Sequence, residues 1–401
     1  MDGLHFANSI AVQPMEGCDG TAEGAPDELT LRRYQRFAKG GAAMIWEEAT
    51  AVRSEGRANP RQLAITPKTL DGMKRMVEMI KELCMKENGF MPVVICQLTH
   101  SGRYSKPEGK PAPMIAYHNP IFEANQPIPD SAIVTDSYLD GLADTFGEAA
   151  RLAQAAGFDG ADIKCCHRYL LSELNSAYER PGRYGGSLEN RTRLYRTAIK
   201  NAMEATGGGF VVTSRINLYD GFPYPNGFGV NPDSGLTPDL TESLWLLGQL
   251  VDMGVELVDI TIGNPYVNPH VNRPYDQGGY IPPEHPLEGV NRMFTCIDAA
   301  KKAYPRLSII SSGHSYGRQF APHMAAGFLA QGSADMAGFG RMSFAYPNFA
   351  RDILNGTFDG KKTCIACGKC SLLMRAGTVA GCPVRDSECY MPYFQKYVMN
   401  K

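Results

Sequence analysis

The sequence predicts an α/β fold of the (β/α)8 TIM-barrel class, extended by a short C-terminal cysteine-rich segment. Three observations carry that expectation. Short β-type runs alternate with longer helical patterns across residues 9–338, and strands alternating with helices form a parallel sheet. Eight strand candidates occur, each followed by a helical pattern or by a loop long enough to contain one. The dinucleotide fingerprint G-x-G-x-x-G after the first strand is absent, which disfavours an open doubly wound sheet.

The elements follow in order. Residues 9–14 form the first strand, and the helical pattern 29–38 stops at Gly40-Gly41. Strand 43–48, helix 69–86 and the apolar strand 91–98 come next, before a Pro-rich loop at 106–130. Helix 138–156 and strand 160–164 lead into a long loop, helix 188–205 and strand 210–217. An aromatic-rich insertion precedes helix 240–253 and strand 257–261, and a second insertion spans 263–286. Helix 289–303, strand 307–311, helix 318–331 and strand 334–338 complete the series. The division expected is a barrel over residues 1–347 and a cysteine-rich segment over 348–401.

Composition narrows the function. Forty basic and 42 acidic residues give a net charge of -2, so nothing provides an electrostatic grip on nucleic acid. The N-terminus MDGLHFANSI lacks the basic and apolar regions of a secretory signal. No apolar run approaches the roughly 18 residues of a membrane span. The 11 cysteines are unevenly spread, with four between Cys364 and Cys382. That clustering points to metal ligation in a reducing cytoplasm rather than to disulfides.

In such a barrel the chemistry sits where strands end. Polar groups lie at seven of those ends: Gln13–Gly17, Glu47–Thr50, Gln97–Arg103, Lys164–Tyr169, Ser214–Asn217, Ser311–His314 and Gly338–Arg341. Gly313, Gly340 and Arg341 suit a phosphate, because glycine lets backbone N–H groups approach an anion and a guanidinium forks onto its oxygens. The plainer reading is that the two glycines only shape turns. In the tail, Cys364, Cys367, Cys370 and Cys382 spell C-x2-C-x2-C-x11-C, followed by Pro383. Four grouped thiolates suit a [4Fe–4S] cluster, and zinc held by the same four thiolates is the alternative.

These motifs carry a resemblance. The PM after strand one, EATAV, QLTHSGR, HRYLLSEL running into RPGRYGGSLENRTR, and the terminal FGR resemble the Old Yellow Enzyme family of FMN ene-reductases. The likeness is to the branch with 2,4-dienoyl-CoA reductase and bile-acid-type enoate reductases, and it covers residues 7–347 plus the cysteine tail. It implies flavin contacts from Pro14, Met15 and Ala49, a hydrogen bond to the pyrimidine edge from Gln97, and Arg215 beside the flavin N1 and C2 carbonyl. It implies phosphate binding by Gly313, Gly340 and Arg341. A fixed guanidinium favours the anionic reduced flavin, and the alternative for Arg215 is an internal salt bridge.

The same resemblance puts substrate-carbonyl donors at Lys164 and His167 and the proton donor at Tyr169. Lys164 departs from the commoner His or Asn pattern; it either polarises the carbonyl or pairs with Glu16 or Asp162. Tyr169 is otherwise a packed rim tyrosine. Glu16 stands where relatives carry Thr, Cys or another group near the flavin C4 carbonyl; it is ionised, turned away or protonated. Cys165 and Cys166 read as small packed residues, and Cys389 as a spare thiol. In RPGRYGGSLENRTR, Ser187 caps a helix while Asn190 and Arg191 lock the loop to the barrel. The resemblance favours iron–sulfur over zinc in the tail, although the branch has one more residue between its second and third cysteines.

Long members of the branch continue into a domain for FAD and a nicotinamide nucleotide, whereas this chain ends at Lys401. Electrons are therefore expected from NAD(P)H directly, or from a separate electron-donor protein through the cluster. A homo-oligomer is the other partner class left open. The insertions carry Tyr219, Phe222, Tyr224, Phe228, Tyr266, Tyr275 and Tyr280. These rings either line a flat cleft for a planar enone of the flavone type or pack on one another. The leading expectation is reduction of the C=C bond of an α,β-unsaturated carbonyl compound. Oxidative demethylation of an amine and an electron-transfer or redox-sensing module are the alternatives.

Overall fold

The computed structural model describes residues 4–276, 278 and 280–400. Outside it lie Met1–Gly3 of the N-terminal stretch, Gln277 and Gly279 of the second insertion, and Lys401 at the end of the cysteine-rich segment. Eight parallel strands close into a barrel in sequence order. They are β1 (Ile10–Val12), β2 (Met44–Ala51), β3 (Val93–Thr99), β4 (Gly160–Ile163), β5 (Val211–Asn217), β6 (Leu257–Thr261), β7 (Ser308–Ser311) and β8 (Met336–Phe339).

Closure buries the strands on both faces, so their runs read as continuously apolar rather than alternating. Ala11, Met44, Trp46, Ile95, Leu257, Ile310 and Met336 fill one layer of the interior, with Leu4 and Phe6 packed against it. The outer core forms where amphipathic helices cover the sheet; Tyr34, Met76, Phe146, Ile199, Leu247 and Ile297 come from six of them. Helix Glu28–Lys39 starts where predicted because Asp27 and Thr30 form a reciprocal capping box.

Three helices differ from expectation, one of them starting at Pro286, a residue suited to the first helical position, rather than at Gly289. The pattern at 188–205 is split into Leu188–Arg191 and Arg193–Ala205. The helix expected from 318 begins only at Ala321, because Arg318 takes φ 52°, ψ −122° and Pro322 sits in the first turn. The GGSLENR segment is structural, as its sequence suggests. Ser187 caps the turn, and Arg191 bonds the carbonyls of Gly186 and Asn175 and pairs with Glu242.

Beyond the barrel, helices Lys369–Arg375 and Ser387–Phe394 share a small core of Leu373, Val379, Tyr390 and Phe394. Arg32 and Arg36 of the first barrel helix both reach Asp386, and the Ala380 amide donates to Gly17 O at 2.7 Å. The tail is thereby laid across the loop that leaves β1. Among the described residues no helix is long and apolar enough to cross a membrane.

Candidate functional site

The C-terminal ends of the strands surround one open cavity. Its wall contains all eleven barrel residues singled out above: Pro14, Met15, Ala49, Gln97, Lys164, His167, Tyr169, Arg215, Gly313, Gly340 and Arg341. The barrel explains the convergence. Each residue ends a strand or opens the following loop, and a closed parallel sheet aims all such ends at one face.

The wall is held by a buried polar framework. Asp162 on β4 accepts from Gln97 Nε2 at 2.6 Å, Trp46 Nε1 at 2.8 Å and the Arg215 amide at 2.7 Å. Burial nevertheless pushes its carboxyl up to about 6. With its amide nitrogen committed to Asp162, Gln97 keeps its carbonyl oxygen as the acceptor for a ligand N–H. Asp259 on β6 takes Gln13 Nε2 at 2.8 Å and lies 3.0 Å from Arg215 Nε. The internal ion pair foreseen as an alternative for Arg215 therefore exists, yet the same guanidinium still lines the cavity.

After β4 the chain turns through two left-handed residues, His167 (φ 63°) and Arg168 (φ 60°). Non-glycine residues adopt this region at a cost of about 1–2 kcal/mol. Here the turn separates the side chains. Lys164, His167 and Tyr169 line the cavity, whereas Cys165, Cys166 and Arg168 are buried. Arg168 bonds Asp220 and Ser176 and anchors the turn to the β5 loop. Burial, with Arg215, Lys164 and Arg273 nearby, drives the His167 imidazole well below its ordinary range. Its Nε2 lies 3.1 Å from the Asn272 amide nitrogen, which also contacts Thr261 Oγ1 at 3.2 Å and Ile262 O at 2.9 Å; a neutral ring that accepts there carries its proton on Nδ1. Burial also lowers Lys164. Its ammonium lies 3.7 Å from the Tyr169 ring centroid, and no carboxylate forms an ion pair with it among the described residues. Tyr169 Oη reaches Glu16 Oε1 at 3.1 Å and Tyr266 Oη at 2.8 Å.

Both glycines predicted for a phosphate occupy tight positions. Gly313 has φ 100°, where a side chain is strained, and a Cβ at Gly340 would lie 3.0 Å from Met15 Sδ. Gly340 and Arg341 head the turn Arg341–Ala345, where amides have no helical acceptor. Arg341 joins two further guanidiniums, Arg273 and Arg375, that neighbour one another. Their partners are Ser371 Oγ for Arg273 and the carbonyls of Pro265, Tyr266 and Pro274, with no carboxylate among the described residues. Burial brings Arg273 down to about 10, still charged at neutral pH. Uncompensated positive charge here fits an anionic tail, and the apolar, amide-edged remainder of the cavity fits a flat ring. The residues present therefore suit FMN.

Ser312, from the strand-seven end named above, and Asn272, Arg273, Ser371 and Met374 also line the cavity. Sequence patterns do not reveal the last four, because they come from an insertion and the tail; the one hint is the density of Asn, Tyr and Arg in the second insertion. Of the seven insertion rings, Tyr266 alone faces the cavity. The rest pack elsewhere: Phe222 on Phe122, Tyr224 on Tyr178, Tyr275 on Tyr280, with Tyr219 and Phe228 in the core. The flat aromatic cleft is thus replaced by a self-packed rim.

Cys370 reaches the cavity wall, and the other motif thiols lie behind it. Burial pushes Cys364 up to about 11, with Arg341 opposing and Cys370 and Cys382 within electrostatic reach. Cys382 in turn feels Cys370 and Cys367. Backbone N–H groups of Ala366 and Arg385 donate to Cys364 Sγ and Cys382 Sγ, both at 3.4 Å. Among the described residues no three His, Cys, Asp or Glu side chains stand in metal-holding geometry. Thiols gathered beside N–H donors and arginines do suit an anionic thiolate cluster in chemistry.

The family described as NADH:flavin oxidoreductase / NADH oxidase matches residues 3–228, more than half of the sequence. An NADPH dehydrogenase of Geobacillus sp. (strain WCH70) is 30% identical over 266 residues, covering 65% of this chain and 70% of that protein. Among solved structures, a 2-naphthoyl-CoA reductase in complex with 2-naphthoyl-CoA superposes with TM-score 0.77 at 20% identity. That superposition covers 96% of this chain but 56% of the larger protein. An old yellow enzyme homologue from Zymomonas mobilis superposes with TM-score 0.63 at 19% identity, over 88% of this chain and 92% of its own. At such identities the structural likeness speaks for the fold.

Proposed function

The chain belongs to the NADH:flavin oxidoreductase / NADH oxidase family, and from that premise we propose that it is an FMN-dependent ene-reductase acting on an α,β-unsaturated carbonyl compound. The observation that carries this reading is the turn after β4. It brings the His167 imidazole, the Lys164 amine and the Tyr169 phenol to one wall of the cavity that suits a flavin.

FMN, when bound, would supply the hydride chemistry that an NAD(P)H-dependent ene-reduction needs. Gln97 and Arg215 would hold the polar edge of the flavin, Pro14, Met15 and Ala49 would lie against its ring, and Gly313, Gly340 and Arg341 would hold its phosphate. His167 Nδ1–H and Lys164 donate to the substrate carbonyl oxygen, where negative charge grows as the β-carbon is reduced. Tyr169 delivers the proton to the α-carbon. Burial and the neighbouring Glu16 raise the phenol, so it stays protonated until that step.

The substrate class proposed for this cavity is a planar enone of the flavone type, met by the Tyr266 ring on its wall. Residues 1–347 would form the flavin-binding barrel. Residues 348–401 would bind a [4Fe–4S] cluster through Cys364, Cys367, Cys370 and Cys382, with a protein electron donor as the second source of electrons. The deciding experiment is anaerobic stopped-flow mixing of the photoreduced protein with a flavone and with a simple cyclic enone. Reoxidation with stoichiometric C=C reduction supports the reading, whereas reduction of the oxidised protein by a secondary amine instead would replace it with amine oxidation.

A further inference from the structure

Glu16 is the one acidic side chain on the cavity wall among the described residues, and the reaction as described does not use it. We propose that Glu16 is a positioning residue that governs the proton of Tyr169: as a carboxylic acid it donates to Tyr169 Oη and frees the phenolic hydrogen for substrate, and as a carboxylate it captures that hydrogen. This inference rests on the ene-reduction reading.

The geometry limits the choices. Tyr169 Oη has one hydrogen and two partners, Glu16 Oε1 at 3.1 Å and Tyr266 Oη at 2.8 Å. If Glu16 is ionised, the phenolic hydrogen lies toward Oε1 and is withheld from the cavity. If Glu16 is neutral, the same contact runs in reverse, Tyr266 donates as well, and the hydrogen is free. Loss of that hydrogen to carbon leaves a phenolate facing two donors, with the Lys164 ammonium 3.7 Å above its ring. The balance is simple. The Tyr169 O–H bond breaks as a C–H bond forms, the Glu16 O–H bond breaks as the Tyr169 O–H bond re-forms, and water reprotonates Glu16.

The surroundings place both forms of Glu16 within reach. Lys164 at the end of β4 and the Tyr169 hydroxyl favour the carboxylate, and Gln62 Nε2 lies 3.4 Å from the same oxygen. Against them stand burial, the largest influence, and Glu48 on β2, whose charge is shared with Arg33 and Asp19. Cys18 and Tyr266 also face Glu16, and burial, with Glu16 adding to it, raises both. The outcome is a carboxyl raised above its ordinary range. The loop itself is rigid, because the Gly17 amide donates to Glu48 Oε2 at 2.7 Å and Arg33 leaves no room for a side chain at Gly17.

Two measurements test the proposal. In the first, the rate of enone-dependent reoxidation is followed against pH for the parent and for Glu16→Gln, whose amide mimics the acid. The parent rate is expected to fall at least ~10-fold on the alkaline side, as general-acid effects of ~10²–10⁴ allow. Glu16→Gln should lose that limb and outrun the parent at high pH. An unchanged limb in Glu16→Gln, or a loss at every pH as deep as that of Tyr169→Phe, overturns the proposal; the latter makes Glu16 the donor itself. The second measurement needs no substrate. The infrared carboxylic C=O stretch that disappears in Glu16→Gln is titrated in the oxidised protein. Tyr169→Phe removes a donor to the carboxylate, so its midpoint should rise. A midpoint that does not move overturns the coupling. If no enone reoxidises the protein, the ene-reduction reading fails and the infrared titration still decides the coupling.

Discussion

The turn after β4 and the cysteine segment both carry closely spaced functional groups, yet their geometries are organised differently. The turn is clamped by ladder bonds to β3 and β5 and by the buried Arg168–Asp220 pair, so Lys164, His167 and Tyr169 face one cavity without help from a ligand. The cysteines sit on short helices and loops with a core of their own, and their thiols gather without closing into a cage. A protein framework can preset donors that hang from a sheet. A thiolate cage is completed by the metal it binds, because binding and local folding are one equilibrium.

The sharpest break of that comparison is at the cage. Cys364→Ser or Cys367→Ser should abolish iron and acid-labile sulfide in anaerobically purified protein, since an alcohol is a poor ligand beside a thiolate. Stoichiometric zinc without sulfide in the parent would instead assign a structural zinc site. At the preset turn, Tyr169→Phe should slow substrate-dependent reoxidation by ~10²–10⁴. His167→Ala should slow it by ~10²–10³. Reduction by NAD(P)H should change little in either variant. Equal reoxidation rates in parent and both variants, measured by stopped flow, would mean that substrate is held elsewhere.

Arg341→Ala should weaken flavin retention by about 1.5–3 kcal/mol, the worth of a hydrogen bond to a charged group. The check is the FMN left after extended dialysis; full retention would remove Arg341 from the phosphate site. The smallest effect concerns stability. Burial pushes Asp162 up to about 6 from its ordinary value near 4. An acid whose folded pKa is raised binds its proton more tightly when folded, so that contribution is present at low pH and lost as pH rises through about 6. Urea midpoints between pH 4 and 7 should fall less steeply for Asp162→Asn than for the parent.

Much of this is legible in the sequence because it depends on local pattern. Period and punctuation locate the eight strands, and the closed parallel order then places every strand end on one face, which is why the residues from Pro14 to Arg341 converge. Arg191 in GGSLENR also reads correctly as structural, since a cap and a buried guanidinium need no ligand. The start of the helix at Ala321 is not legible, because the left-handed Arg318 breaks a pattern that composition alone continues.

By itself, then, the sequence determined the barrel and the chemical types at its mouth, which follow from short-range periodicity and strand-end position, while its motifs carried the family resemblance. The tertiary structure decided what no spacing encodes. Asn272 meets the His167 ring from 105 positions away. Six of the seven insertion rings lie off the cavity: Tyr219, Phe222, Phe228 and Tyr275 are buried, while Tyr224 and Tyr280 stay partly exposed. Glu16 meets Tyr169 across 153 positions, and that contact depends on closure of the sheet, which brings the loop after β1 to face the turn after β4 across the barrel mouth.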